Sequence, residues 1–112
     1  MPAIPRPDWI AALTEFTTRN VNYPVRLEVD ALDLGAQTEA EGSVLRGVAY
    51  DPRSGDVEVM LEPEDGEHLT HAIHDPSEID LLGSSGPRRE VLRIVHRGGQ
   101  TLLHILAPER SG

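Results

Sequence analysis

The sequence predicts a mainly β protein with one N-terminal α-helix, folded as a small antiparallel β-barrel or a strongly bent sheet of about six to seven strands. Three observations predict it. Apolar and polar residues alternate at period two in several short runs between residues 23 and 106. Turns rich in Pro, Gly and Asp separate those runs. Only one stretch, close to the N-terminus, places its apolar residues at helical spacing.

The opening residues 1–7 hold three prolines and read as an arm, because proline continues neither a helix nor a ladder. Asp8 stands where an N-cap is expected, and Trp9, Ile10, Leu13 and Phe16 follow at helical spacing up to Arg19 and Asn20. A helix over about 8–19 results. Trp9 and Phe16 are the only Trp and Phe of the chain, so this helix is expected to close one end of the core. Residues 23–34 form the first strand, with Val25, Leu27, Val29 and Ala31 on one face. Residues 35–42 have no apolar periodicity and read as a loop or as a polar extension of the strands they join.

Residues 43–63 form the central hairpin. Val44, Leu45, Val48 and Tyr50 supply the first limb, and Val57, Val59 and Leu61 alternate with Glu58, Met60 and Glu62 in the second. Asp51-Pro52-Arg53-Ser54-Gly55 is the turn, with Pro preset for its second position and Gly free to take positive φ. Four acids crowd residues 62–67, but the calcium-loop spacing is missing, which leaves an exposed acidic turn.

Three of the five histidines fall within residues 68–74. In a strand His68 and His74 share one face while His71 lies between Leu69 and Ile73 on the other, so the three do not converge on one metal. Asp75-Pro76-Ser77 reads as a turn, 78–82 as a short strand, and 83–87 as a loop. The last hairpin turns at Gly98-Gly99 between strands 90–96 and 101–106, and 107–112 form a frayed tail. The expected domain is therefore 8–106.

The expected core combines Leu27, Val29, Val57, Val59, Leu61, Leu69, Ile73, Ile79, Leu92, Ile94, Leu103 and Ile105 beneath Trp9, Leu13 and Phe16. A turn at Gly98-Gly99 pairs Arg93 with His104, Val95 with Leu102 and Val91 with Leu106. The second face of that hairpin then carries Val91, Arg93, Val95, Leu102, His104 and Leu106, and four of these six are apolar. Strands apolar on both sides need cover on both sides. The cover is either the N-terminal helix or a second copy of the chain, which makes these six the candidate interface.

Net charge is −9 and unevenly spread. Residues 27–67 carry twelve acids against Arg46 and Arg53, whereas residues 86–106 carry four arginines against Glu90. A long acidic half repels polyanions, so nucleic acid is disfavoured as a partner. No cysteine and no lysine are present, which removes thiolate and Schiff-base chemistry. The GxSxG and HExxH motifs are missing too. The sequence names no catalytic residue, cofactor or metal ligand, leaves any small-molecule ligand open, and shows no membrane-spanning stretch. A cytoplasmic, acidic, non-catalytic binding module, pairing with itself or with another protein, is the expected function. An RNA-binding barrel or an enzyme with an unrecognised site stays open as the alternative.

Residues 23–106 resemble an uncharacterised bacterial family of small domains of unknown function. The resemblance rests on LEVDALDLGAQTEAEG at 27–42, LRGVAYDP at 45–52, HLTHAIHDPSEI at 68–79 with its His-x-Pro-x-x-Ile ending, and the closing hairpin. It implies a shared fold and brings no activity. At the level of element order the chain is also similar to Sm-like barrels, with an N-terminal helix, a bent strand with an early Gly, and an Asp before the central turn. The Asn expected after that turn is missing, and His74-Asp75 stands in place of an Arg-Gly pair.

Overall fold

The computed structural model describes residues 3–31, 35–64, 66–83 and 88–106. A 3-10 turn at Arg6–Asp8 leads into one helix, α1 (Trp9–Asn20). Seven strands follow: β1 (Pro24–Ala31), β2 (Gly35–Asp51), β3 (Asp56–Pro63), β4 (Leu69–Ile73), β5 (Pro76–Leu82), β6 (Arg88–His96) and β7 (Gly99–Leu106). They make one antiparallel sheet in the order β4-β3-β2-β1-β7-β6-β5. The loop over 84–87 and the tail over 107–112 lie outside the described residues.

Chain connectivity dictates the shape of this sheet. Its two edge strands, β4 and β5, are joined by His74 and Asp75 alone. Six flat interstrand spacings would hold the edges about 29 Å apart, while that link reaches only about 11 Å. The sheet therefore curls until its edges meet at the corner, where Asp75 takes a left-handed φ of 53°. It is nevertheless not closed. Among the described residues no ladder joins β4 to β5, so a strongly bent sheet, rather than a closed barrel, is the form adopted.

The bend is concentrated in β2. Its 17 residues would run about 56 Å if straight, longer than the 43 Å greatest dimension of the molecule. Extra residues at Glu39 and Gly42 interrupt its pairing with β1, and another at Arg46 interrupts its pairing with β3. Such bulges kink a strand and sharpen its twist. The bulge at Arg46 also explains the uneven spacing of Leu45, Val48 and Tyr50. Leu45 opposes Leu61, Val48 opposes Val59 and Tyr50 opposes Val57, so all three face inward. Residues 35–42 are thus strand, the extension of the two alternatives.

Helix α1 docks where the bulge gives way. A side chain on Gly47 would begin 3.3 Å from the Met60 methyl and 3.6 Å from Thr17 Cγ2, so its absence lets helix and hairpin approach. The Thr17 hydroxyl accepts from Val48 N–H at 2.9 Å and donates to Val48 C=O at 3.2 Å. At the far end of the helix Asn20, fully buried, donates to Phe16 C=O and to Glu90, and accepts from Arg89. Arg19 adds two hydrogen bonds to the same Glu90 carboxylate. Asp8 precedes the helix as expected, but its side chain makes no capping bond. Its backbone is already helical, with φ −97° and ψ −1° rather than the extended conformation of a cap, and its N–H donates to Pro5 C=O in the 3-10 turn.

The inward faces and α1 form one core. Trp9, Leu13 and Phe16 pack with Val25, Leu27, Leu45, Val48, Val57, Val59, Leu61, Ile73, Ile79, Leu92, Ile94, Leu103 and Ile105. Two expected members are absent. Leu69, at the start of an edge strand, is 47% exposed, and Val29 is half-buried where the curled sheet opens. Val25, Leu45 and Val48 take their places. Trp9 is a core residue, its indole N–H donating to Ile4 C=O at 3.0 Å and its ring edge-on to Tyr50 at 5.1 Å. The arm is docked as well, because Ile4 N–H donates to Ile79 C=O on the outer edge of β5 at 2.7 Å.

Two turns differ from expectation. Pro76 and Ser77 belong to β5, since proline fits the first position of an edge strand. The last hairpin turns at Arg97-Gly98, not Gly98-Gly99, and pairs His96 with Gly99, Val91 with His104 and Arg93 with Leu102. Gly99 is drawn into β7 by β1, where it pairs with Ala31. A Cβ there would lie 2.0 Å from Asp30 C=O, so only glycine fits. The expected register is therefore off by two residues. Because side chains alternate at period two, both faces keep their residues.

Gly99→Ala should cost more than about 2 kcal/mol in urea denaturation, since backbone, not a flexible side chain, blocks the added methyl. A loss within experimental error would show that β7 need not approach β1 so closely. Glu90 supplies a second test. Burial opposes its charge, but hydrogen bonds from Arg19 and Asn20 outweigh that and hold its carboxyl below the usual range. A lowered folded value adds stability above the unfolded value, about 4, and that stability is lost as pH falls through the folded one. Glu90→Gln should thus be less stable by about 1–2 kcal/mol at neutral pH, with the gap closing in acid. An equal deficit at pH 7 and pH 3 would refute this role.

Candidate functional site

The six candidate interface residues do share one face, away from α1. Its cross-strand neighbours form rows over β1, β7, β6 and β5. One row runs Glu28, Leu102, Arg93, Asp80, the next Arg26, His104, Val91, Leu82, and the third Asp30, Gln100, Val95, Glu78. Leu106 lies beyond, opposite Arg88. The helix is not their cover, because Trp9, Leu13 and Phe16 all belong to the core on the inner side.

This outer face is more polar than its apolar members suggest. Arg93 grips Asp80 with two hydrogen bonds of 2.9 and 2.8 Å and reaches Glu78 at 3.2 Å. The paired geometry explains how Asp80 can be buried. His104 is only 2% exposed and stands 3.4 Å from Glu28, which also meets Arg26. Val91 is 4% exposed, whereas Leu102, Val95 and Leu106 are half-buried and Leu82 is exposed. Arg93 and His104 are diagonal neighbours, not the direct pair expected, through the same two-residue shift in register.

A second feature lies where the curled sheet opens. The ends of β1, β4, β6 and β7 surround a cavity of about 310 Å³, and no residue of α1 lines it. Val29, Ala72 and Ile73 make one wall, and His71, His74, His96 and Arg97 make the rim. Sequence reasoning singled out His71 and His74 but missed His96. Only the β6–β7 hairpin and the curl bring its strand end, 22 residues further on, to the same opening.

Each histidine is held differently. His68 and His74 flank β4 and meet carboxylates at opposite ends of β3, His68 with Glu62 at 3.0 Å and His74 with Asp56 at 3.1 Å. His71 opposes Val59 and so faces inward. His96 is fixed through both ring nitrogens. Nδ1 lies 3.2 Å from Arg97 C=O, which can only accept, so Nδ1 carries the proton and Nε2 accepts from the Thr101 hydroxyl at 2.8 Å. Thr101 itself is buried. Among the described residues no three His, Asp or Glu are grouped to hold a metal ion. Calorimetric titration of zinc at micromolar concentration should accordingly give no stoichiometric heat, and a one-to-one isotherm lost in His71→Ala would contradict this arrangement.

Comparison with known proteins yields a family without an assigned activity. The chain is 28% identical over 103 residues to an uncharacterized protein of Aquifex aeolicus (strain VF5), a match covering 92% of this chain and 89% of that one. No solved structure matches it. The model of the family of unknown function DUF5335 matches residues 1–111, nearly end to end, and the chain belongs to that family.

Proposed function

We propose that the protein is a non-catalytic binding module of the bacterial cytoplasm that works as a homodimer, joined through the outer face of the β6–β7 hairpin. One observation carries this reading. Val95, Leu102 and Leu106 lie half-buried on a sheet face, beside an exposed Leu82, while the one described helix spends its apolar side on the opposite face. Antiparallel sheets usually leave such a face polar.

The electrostatics favour a second copy as the occupant. Two chains of net charge −9 repel least where the negative charge is locally answered. On this face Arg93 neutralises Asp80 and Arg26 meets Glu28. A two-fold axis would set the apolar residues of one copy against those of the other, with the ion pairs as a rim. No helix among the described residues is long and apolar enough to cross a membrane, and a chain without cysteine is suited to a reducing compartment.

Light scattering at high micromolar concentration tests the dimer. The expected result is a dimeric mass that Leu102→Glu converts to a folded monomer. A strictly monomeric wild-type protein would end this reading.

A further inference from the structure

The described lining of the cavity at the open side of the sheet is opposite in sign to the chain. Among the described residues none of the side chains lining it is a carboxylate, although the protein carries 19 acidic residues against 10 basic ones. Arg97 and three of the five histidines converge there. Among the described residues the Arg97 guanidinium makes no ion pair or hydrogen bond, so its charge is available. Of the neighbouring described carboxylates, Asp56 on β3 meets His74 and Asp30 on β1 accepts from Gln100, while Asp75 follows His74 in the chain.

We propose that this cavity binds a small organic anion, with its carboxylate or phosphate on Arg97 and the imidazoles and its carbon body against Val29 and Ile73. The guanidinium fork matches either head group. His96 has its ring held in place beside this space by Arg97 C=O and Thr101. At about 310 Å³ the space sits at the lower end of ligand pockets, which suits a body of a few carbons and not a cofactor.

The site is separate from the outer hairpin face, so it stands or falls independently of the dimer.

Benzoate, phenyl phosphate and the neutral benzamide can be titrated into the labelled protein and followed by amide shifts. The expected result is saturable shifts at Val29, Ile73 and residues 96–101 with at least one of the two anions, and none with benzamide. Binding of one anion alone supports the site and names its head group. Arg97→Gln, on an exposed turn, should weaken binding by about tenfold or more with the rest of the spectrum unchanged. His71→Gln is a second variant and should weaken binding. The proposal is overturned if neither anion gives saturable shifts, if benzamide binds as well as benzoate, or if both variants bind like the wild type.

Discussion

Two residues between the two edges of the sheet set the form of this protein. His74 and Asp75 tie β4 to β5, although five strands lie between these two edges of the sheet. Loop closure normally costs entropy that grows slowly with length, but here the link is so short that geometry, not entropy, governs. The sheet has to wrap around its own core. Once it wraps, β2 must bend, and its bulges at Glu39, Gly42 and Arg46 are where it does. Once β2 bends, the helix can reach the hairpin over Gly47 and anchor by Thr17 to Val48.

An incompletely closed sheet leaves edges and gaps that have to be managed. The β5 edge is covered by the arm, through Ile4 to Ile79, with Arg6 reaching Pro76 C=O and stacking 4.1 Å above Trp9. The β4 edge is limited to five residues and flanked by Glu62 and Asp56 with their histidines, a short and charged edge of the kind that resists adding strands. One gap is filled by α1, whose C-terminal end is held by the network of Arg19, Asn20, Arg89 and Glu90. The other remains as the histidine-rimmed cavity. Both features follow from one curl.

Much of this was legible from residues. Period two in Val57, Val59 and Leu61 identified β3 and its inward face, and helical spacing of Trp9, Leu13 and Phe16 identified α1 and its role in the core. The faces of the last hairpin were legible although its register was not, because a shift of two conserves parity. What set the register was Gly99 against Asp30 C=O, a contact between β7 and β1 that local turn preferences do not contain. Bulges were hidden for the same reason, since Arg46 is an extra residue only relative to Leu61 and Met60 across the ladder. The outer hairpin face looked more apolar than it is because Asp80, Glu78 and Glu28 come to it from other strands. The histidine cavity was half visible in residues 68–74, and its other half, His96 and Arg97, depends on the curl.

The curl itself can be tested through Trp9. In a flat sheet β2 and β5 would stand about 19 Å apart, but here Trp9 touches Tyr50 of β2 while its indole N–H binds Ile4, whose own amide is bonded to Ile79 of β5. Nuclear Overhauser spectroscopy should show the Trp9 ring close to the Tyr50 ring and, in the same sample, the Ile4 amide proton close to the backbone of Ile79 and Asp80 and slow to exchange. An Ile4 amide that exchanges freely and shows only sequential neighbours, with Trp9 still against Tyr50, would mean that β5 does not come round to the arm and that the account of the fold is wrong.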